Sequence, residues 1–306
     1  MELLNFGMYG VFRIQYANLQ SKHIWSEKIQ RAYPIYSILE YETVAHGLRT
    51  CMIDHLVNHE NMVEKVRNYA RKGLILLPLS EESVSKGFSH LTNEKPIAMN
   101  IRSVVARSKE DAEQFLHYHL KADHVKIGEM LGFPHRSCVF FDKVWGEGYF
   151  DPVWQQAENT EEPVLKFKKD LTKNGEVQKH VIRLKQHDDY QLITSVFRYI
   201  NMRAISHFAY SFSDTDSLNV ARKWIQLARD LKLPGLDDLL DFLRLPYQWD
   251  CYKGIAEITT PVFKLVVNSM PCYPHHVIQQ ESDFYPKEAP KGLYFPFKDE
   301  TFIGEC

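Results

Sequence analysis

The chain has 306 residues, of which 44% are hydrophobic, 13% aromatic and 25% charged. This composition is typical of a globular protein and excludes intrinsic disorder, collagen-like repeats and coiled coils. The formal net charge of -2 argues against a protein whose whole surface is basic, although a local basic face is compatible with it.

Cysteine usage and hydropathy bear on the compartment. The five cysteines are scattered and include no C-x-x-C pair, which predicts neither a disulfide framework nor a zinc ribbon. The sequence has no run of about 20 apolar residues, and its first residues lack the basic and apolar regions of a signal peptide. We therefore expect a cytoplasmic protein with no membrane partner.

Hydrophobic periodicity predicts the helices and strands of the first half. Residues 61–72 have helical spacing and end at Gly73, and the apolar run 74–79 is typical of a strand. Residues 97–105 alternate apolar and polar side chains, which predicts a strand with one wet face and favours a partly antiparallel sheet. Another helix is expected after the capping residue Ser108.

The middle of the chain contains the best candidate for a domain boundary. A helix over residues 124–131 should end at Gly132, and the next helix should begin after Pro134. Residues 155–185 are polar and charged, which indicates a linker or a surface excursion. We therefore divide the chain into an N-terminal α/β region, the polar segment, and a helical region with short strands and a tail, over residues 1–155, 156–188 and 189–306. The three could also form one compact domain.

The second half is predicted to contain helices followed by short strands. The helices cover residues 190–202, 216–231 and 236–243, and two strands separated by a proline cover 254–267. After residue 268 the chain is rich in proline and aromatic residues, and we expect it to wrap around the body. The predicted fold is α+β, with helices packed on a small mixed or antiparallel sheet and a proline- and aromatic-rich C-terminal tail.

The segment around Pro134 contains the most specific candidate site. Because a helix is expected to begin there, backbone N–H groups converge on the residues that follow, and an anion is favoured at such a helix end. His135, Arg136 and Ser137 are therefore candidate substrate-binding residues. Cys138 lies about one turn further and is either a thiolate nucleophile or a small buried hydrophobic residue.

Three boxes between residues 128 and 297 carry a resemblance to a known family. The first is Leu131-Gly132-Phe133-Pro134, followed by Arg136, Ser137 and Phe140-Phe141. The second is His207-Phe208-Ala209-Tyr210-Ser211, and the third runs from Trp249 through Gly254-Ile255-Ala256-Glu257 to Pro261. In these boxes the chain resembles an uncharacterised family of bacterial and archaeal proteins.

The resemblance implies a cysteine-rich centre in similar proteins, holding a metal or an iron–sulfur cluster. Their boxes have a cysteine pair after the proline and a cysteine three residues after the histidine, and such thiolates bind these ions. In this chain Arg136, Ser137 and Tyr210 stand at those positions. We therefore expect this centre to be absent here, and the resemblance implies no reaction.

We expect an enzyme whose site forms between the two halves of the chain. His207, Glu257 and Asp151 are the candidate catalytic residues, because histidine and carboxylate side chains serve as general acids and bases. Arg136 with its neighbours would hold a small polar or anionic substrate, nucleotide-like molecules included. The expected chemistry is acid–base catalysis or group transfer, the latter making the protein a transferase. The sequence leaves the oligomeric state open.

A divalent metal is one candidate cofactor. His55 and His59 are its candidate ligands, because their i, i+4 spacing would place both on one face of a helix. The same spacing also suits a solvated helix face.

A nucleic-acid-associated protein, which binds or modifies nucleic acid, is the alternative function. It would use a basic strip within residues 166–185, formed by Lys166, Lys168, Lys169, Lys173, Lys179, Arg183 and Lys185. The sequence has no G-x-G-x-x-G, Walker or G-x-S-x-G motif, which argues against nucleotide-fold dehydrogenases, P-loop kinases and α/β-hydrolases.

Overall fold

The computed structural model of the protein describes residues 11–58, 62–79, 100–146, 152–160, 164–169, 179–185, 189–252, 255–268 and 276–281. Over these residues the chain forms an α+β fold in which helices pack on two sheets, as predicted from the sequence. Most of the predicted C-terminal tail lies outside the described residues.

The described part of the chain contains helices and strands that follow one another mostly in short runs of the same kind, and it ends in four consecutive strands. The helices are α1 (Leu19–Ala32), α2 (Ile35–Ala45), α3 (Met62–Ala70), α4 (Lys109–Leu120), α5 (His124–Met130), α6 (His135–Gly146), α7 (Pro152–Glu158), α8 (Thr215–Asp230) and α9 (Leu236–Leu243). The strands are β1 (Val11–Tyr16), β2 (Cys51–Asn58), β3 (Ile75–Pro78), β4 (Asn100–Ala106), β5 (Val164–Lys169), β6 (Lys179–Lys185), β7 (Tyr247–Tyr252), β8 (Ile255–Thr259), β9 (Phe263–Asn268) and β10 (His276–Glu281).

The strands form one large sheet and one small sheet. The large sheet has seven strands in the order β1-β9-β8-β7-β10-β6-β5, and its neighbours are antiparallel except for the parallel pair β10 and β6. The small sheet has the order β2-β4-β3 and is antiparallel throughout. Both sheets agree with the predicted mixed or antiparallel pairing.

Short-range signals placed several helix ends correctly. Ser108 caps α4, and its side chain accepts a hydrogen bond from the backbone N–H of Asp111 at 3.0 Å. Gly132 follows α5 with a φ of +79°, in the left-handed region that favours glycine. The helix expected after Pro134 begins at His135. The strand pair predicted around Pro261 is the antiparallel hairpin of β8 and β9.

The helix predicted over residues 190–202 is wrong. The chain instead makes two 3-10 turns, Tyr190–Ile193 and Arg198–Ile200, and the side chains of residues 191–200 are all buried. The 3.6-residue period identifies a helix that has one buried and one solvent-exposed face. This segment is buried on all sides, so the period did not predict its conformation. Its polar side chains also bond within the core: Ser195 Oγ donates to Gln156 Oε1 at 2.6 Å.

The segment predicted as a linker or surface excursion contributes two strands to the large sheet. β5 and β6 lie within residues 156–188 and pair at one edge of that sheet, where β5 is the last strand. At the opposite edge, β1 from the N-terminal region pairs with β9 from the C-terminal region. The described parts of all three regions therefore share one sheet, and the division of the chain into domains stays a prediction.

Three hydrophobic cores hold the described helices on the sheets, and one of them, which includes Val44 and Val105, packs α2 on the small sheet. The largest one lies against the large sheet and contains aromatic rings in edge contact, such as Phe197 with Phe242 at 4.9 Å and with Tyr247 at 5.3 Å. Another core, which includes Phe115 and Ile127, packs α4 and α5 on the small sheet. Among the described helices, none combines the length and the apolar character that crossing a bilayer requires.

Candidate functional site

The first turn of α8 begins in a cluster of buried polar side chains. Asp214 caps this helix, and its Oδ2 accepts hydrogen bonds from the backbone N–H of Ser217 at 3.1 Å and from the Ser217 hydroxyl at 2.5 Å. Ser137 on α6 joins the same group, with its Oγ 3.1 Å from that of Ser217. His207 completes the group, its Nε2 lying 2.8 Å from Ser217 Oγ. We call these four residues the buried polar cluster.

The hydrogen bonds of the cluster determine which nitrogen of His207 carries the proton. A serine hydroxyl has one proton, and the Asp214 carboxylate can only accept. The Ser217 proton is therefore donated to Asp214, and the Ser217 oxygen accepts from Nε2–H of His207. The lone pair of the imidazole is left on Nδ1. The arrangement differs from a Ser-His-Asp triad, because the carboxylate holds the serine rather than the imidazole.

His207 is a neutral side chain with one unused acceptor. Burial, together with the positive charge of Arg49, lowers its pKa to about 3. Its Nδ1 is buried and has no hydrogen-bond partner among the described residues. The ring of Phe133 stacks on the imidazole with centroids 4.9 Å apart, so one face of the histidine is covered by an aromatic side chain that is itself partly exposed.

Arg49 is a buried guanidinium beside this histidine. It lies 4.9 Å from the ring centroid of Trp224, and one Nη donates to the backbone carbonyl of Glu40. Its Nε–H has no hydrogen-bond partner among the described residues, although the side chain is only 1% exposed. Gly132 allows this close packing, since a Cβ there would stand 2.6 Å from the Cβ of Arg49. A buried donor and a buried acceptor are thus both left unpaired.

An exposed arginine and several aromatic rings lie next to the cluster. The guanidinium of Arg136 lies 3.6 Å from the ring centroid of Tyr210, and no described carboxylate forms an ion pair with it. Phe141 and Phe208 stack on each other at 5.9 Å. We call Phe133, Phe141, Phe208 and Tyr210 the aromatic patch. All four rings are partly buried and partly open to solvent.

Three of the predicted site residues come together, and two others, His135 and Glu257, have their described partners elsewhere. His207 and Ser137 belong to the buried polar cluster, and Arg136 lies beside it. His135 is exposed, and its Nδ1 is 2.7 Å from the carboxylate of Glu129. Glu257 on β8 forms an ion pair with Lys264 on the neighbouring strand β9, with Oε1 and Nζ 2.6 Å apart. Asp151 lies outside the described residues.

The predicted metal ligands do not share a helix face. His55 is part of strand β2, so its i, i+4 relation to residue 59 is not helical there. His59 lies outside the described residues. Within the described ranges, no group of three or more histidine, cysteine, aspartate or glutamate side chains is placed to hold a metal ion.

Cys138 fits the second of its two interpretations, the buried hydrophobic residue. Burial raises the pKa of its thiol to about 12, and the sulfur lies 3.6 Å from the carbonyl oxygen of Phe133. It also packs closely on Gly128, where an added Cβ would stand 2.6 Å from the sulfur. A buried thiol with a raised pKa stays protonated at neutral pH, which argues against the thiolate hypothesis.

The basic strip lies at the edge of the large sheet. Lys166, Lys168 and Lys169 belong to β5, the last strand, and Lys179, Arg183 and Lys185 belong to its neighbour β6. Lys173 lies outside the described residues. Lysines on an edge strand also protect a sheet from pairing with another chain, so the placement suits that role as well as nucleic-acid binding.

Sequence reasoning missed Asp214, Ser217 and Arg49 as members of the site. An aspartate three positions before a serine at the start of an amphipathic helix is a capping signal, which would have placed Asp214 and Ser217 on one helix turn. For Arg49 the sequence offers no comparable signal. It lies between α2 and β2 and reaches the site only through packing.

The positions where the resemblance places cysteines surround His207. Arg136 and Tyr210 contact each other there, and Ser137 is linked to His207 through Ser217. The relation to that family remains a hypothesis. No protein-family model matches the chain, and neither a curated protein nor a solved structure matches it.

Proposed function

We propose that this protein is a cytoplasmic enzyme that binds a small anionic, nucleotide-like substrate beside His207 and carries out acid–base or group-transfer chemistry on it. One observation carries the proposal. Two buried polar atoms, His207 Nδ1 and Arg49 Nε, lack hydrogen-bond partners among the described residues, and an exposed arginine without an ion pair lies next to them. Unpaired buried polar groups are costly, and a ligand that pairs with them is one explanation for their presence.

Arg136 is the side chain that would bind the anionic group. Its guanidinium lies on the ring of Tyr210, which orients it while leaving N–H donors free. Because no described carboxylate competes for those donors, a phosphate or carboxylate would form charge-assisted hydrogen bonds with them.

The aromatic patch would bind a planar group of the same molecule. All four rings are partly exposed, and one of them, Tyr210, is in contact with Arg136. A purine or pyrimidine ring stacks well on such side chains. A nucleotide has both the planar group and the anion. This combination makes a nucleotide-like substrate a better fit than a simple anion.

The two unpaired buried atoms, His207 Nδ1 and Arg49 Nε, would recognise the edge of the planar group. His207 Nδ1 accepts and Arg49 Nε–H donates, and the two are close enough for the charge of Arg49 to lower the pKa of His207. A nucleobase edge offers a donor next to an acceptor, which satisfies both atoms. Because Nδ1 is buried, we propose that side chains beside it move aside when the substrate enters.

The chemistry would exploit a neutral histidine. With its pKa lowered to about 3, His207 stays neutral and acts as a hydrogen-bond acceptor that orients a donor group of the substrate for the acid–base or group-transfer step. Ser217 and Asp214 act as positioning residues, because they fix the tautomer that presents the Nδ1 lone pair.

Binding of adenosine monophosphate tests the proposal, with ribose 5-phosphate and adenosine as its two component probes. We expect adenosine monophosphate to bind more tightly than either component in isothermal titration calorimetry. Arg136→Gln should weaken its binding by roughly tenfold, the size of one charge-assisted contact. The matched control is Lys143→Gln, which removes an exposed positive charge from the same helix and should change nothing. Equal affinities of wild type and Arg136→Gln would contradict the proposal.

A further inference from the structure

A second site lies at the other end of α8. A groove of about 290 Å³ opens between this helix, the 3-10 turn Tyr190–Ile193 and α9. Arg222 and Arg229 line it at positions i and i+7, which share one face of the helix, and Arg244 approaches from the end of α9. Leu192 and Leu240 form the apolar floor of this groove. We call this the arginine groove.

The charges of the groove are not balanced. Arg222 Nε lies 3.5 Å from a carboxylate oxygen of Asp189, and Arg244 Nη1 lies 3.9 Å from Asp241 outside the lining. Arg229 has no carboxylate partner among the described residues. Three guanidiniums and one carboxylate thus line the groove, and Arg229 is the arginine among them that no described carboxylate pairs with.

The groove also contains a buried polar atom without a partner. Gln191 is 6% exposed and lines the groove, and its Oε1 has no hydrogen bond among the described residues. A carbonyl oxygen in this position would accept a hydrogen bond from a hydroxyl group of a ligand.

We propose that the arginine groove binds a small phosphate monoester, with the phosphate on Arg222, Arg229 and Arg244, the organic part on the apolar floor and a ligand hydroxyl on Gln191. The oxygens of a phosphate suit the planar fork of a guanidinium, and no described carboxylate competes for the donors of Arg229. The site is separate from the buried polar cluster, because none of the four residues of that cluster lines the groove.

Calorimetric titration of the full chain with phenyl phosphate and with inorganic phosphate tests this site. We expect phenyl phosphate to bind more tightly than inorganic phosphate, because only the ester contacts the apolar floor. Arg229→Gln should weaken phenyl phosphate binding by roughly tenfold, the effect of losing one charge-assisted contact. Lys223→Gln is the matched control, since it removes an exposed positive charge of α8 that does not line the groove.

The outcomes separate this site from the one beside His207. Phenyl phosphate binding that survives Arg136→Gln and Lys223→Gln but weakens in Arg229→Gln supports the arginine groove. If Arg136→Gln abolishes it, if Arg229→Gln and Lys223→Gln weaken it equally, or if wild type binds no phenyl phosphate, the site is not as proposed. Equal affinities for the ester and inorganic phosphate would overturn the role of the apolar floor.

Discussion

His207 Nε2 lies 2.8 Å from the Oγ of Ser217. This hydrogen bond joins the loop after the second 3-10 turn to the first turn of α8. Ser217 is at the same time held by Asp214, the cap of that helix. A single buried serine therefore serves both helix initiation and the orientation of the imidazole. The stability of the helix end and the orientation of His207 are thus coupled at this residue, and this coupling gives measurable expectations.

Removing the Ser217 hydroxyl should destabilise the fold. In Ser217→Ala the Nε2–H of His207 loses its acceptor in a buried place, which costs about 1–3 kcal/mol. Urea unfolding monitored by circular dichroism measures the change. Thr215→Ala on the same helix turn is the control, because Thr215 is exposed, and its effect should be clearly smaller. Equal losses in the two variants would show that Ser217 contributes only through the helix end.

Acid should destabilise the protein through His207. Its pKa is lowered to about 3 in the folded state, whereas a histidine in the unfolded chain titrates near about pH 6.5. Below the unfolded pKa the unfolded chain binds a proton that the folded protein does not, so this contribution to stability is lost as the pH falls.

The comparison with His207→Gln isolates this effect. Between about pH 7 and about pH 5 we expect wild type to lose about 2 kcal/mol more unfolding free energy than the variant, measured by urea titration. The glutamine amide can still donate to Ser217, so the variant should fold. Parallel pH profiles for the two proteins would mean that His207 is not buried in its neutral form.

Gly73 and Gly132 have similar positive φ angles but different surroundings. Alanine substitutions at the two positions therefore distinguish the cost of backbone strain from the cost of steric overlap. Gly73 has a φ of +71° with no atom within 4 Å of an added Cβ, whereas Gly132, at +79°, would bring that Cβ to 2.6 Å from the Cβ of Arg49. Gly73→Ala should cost about 1 kcal/mol because of the backbone alone. Gly132→Ala should cost about 1–3 kcal/mol more through overpacking. Thermal and urea unfolding check this, and equal costs would argue against the close approach of Arg49.

Glu257 is predicted to be dispensable for binding. Its carboxylate is 36% exposed and pairs with Lys264, so Glu257→Gln removes an ion pair of the β8–β9 hairpin. We expect a stability change of about 1 kcal/mol or less, as for other partly exposed pairs, and unchanged affinity for adenosine monophosphate. A loss of affinity in calorimetry would return Glu257 to the site as a catalytic candidate.

The sequence predicted most of the fold because local signals agreed with the tertiary structure. Ser108, Gly132 and the proline at position 134 mark helix ends through backbone chemistry that does not depend on distant residues. Periodicity gave a wrong prediction for residues 190–202, because residues 191–200 among them are buried on all sides and have no solvent-exposed face.

The site was predictable only in part. Arg136, Ser137 and His207 follow from the helix start after Pro134 and from the boxes that resemble a known family. For Glu257 the sequence did not reveal its ion-pair partner, Lys264, which lies on the neighbouring strand of the hairpin. Arg49 could not be found from the sequence, since only long-range packing brings it beside His207.

Nitrogen-15 NMR of the histidine side chains, recorded during a titration with adenosine monophosphate, tests the site most directly. We predict a neutral imidazole protonated at Nε2 that is absent in His207→Gln, and whose Nδ1 resonance shifts on titration in wild type and in Lys143→Gln but much less in Arg136→Gln. An Nδ1-protonated or cationic His207, or an Nδ1 resonance that the nucleotide leaves unchanged, would contradict the proposed site.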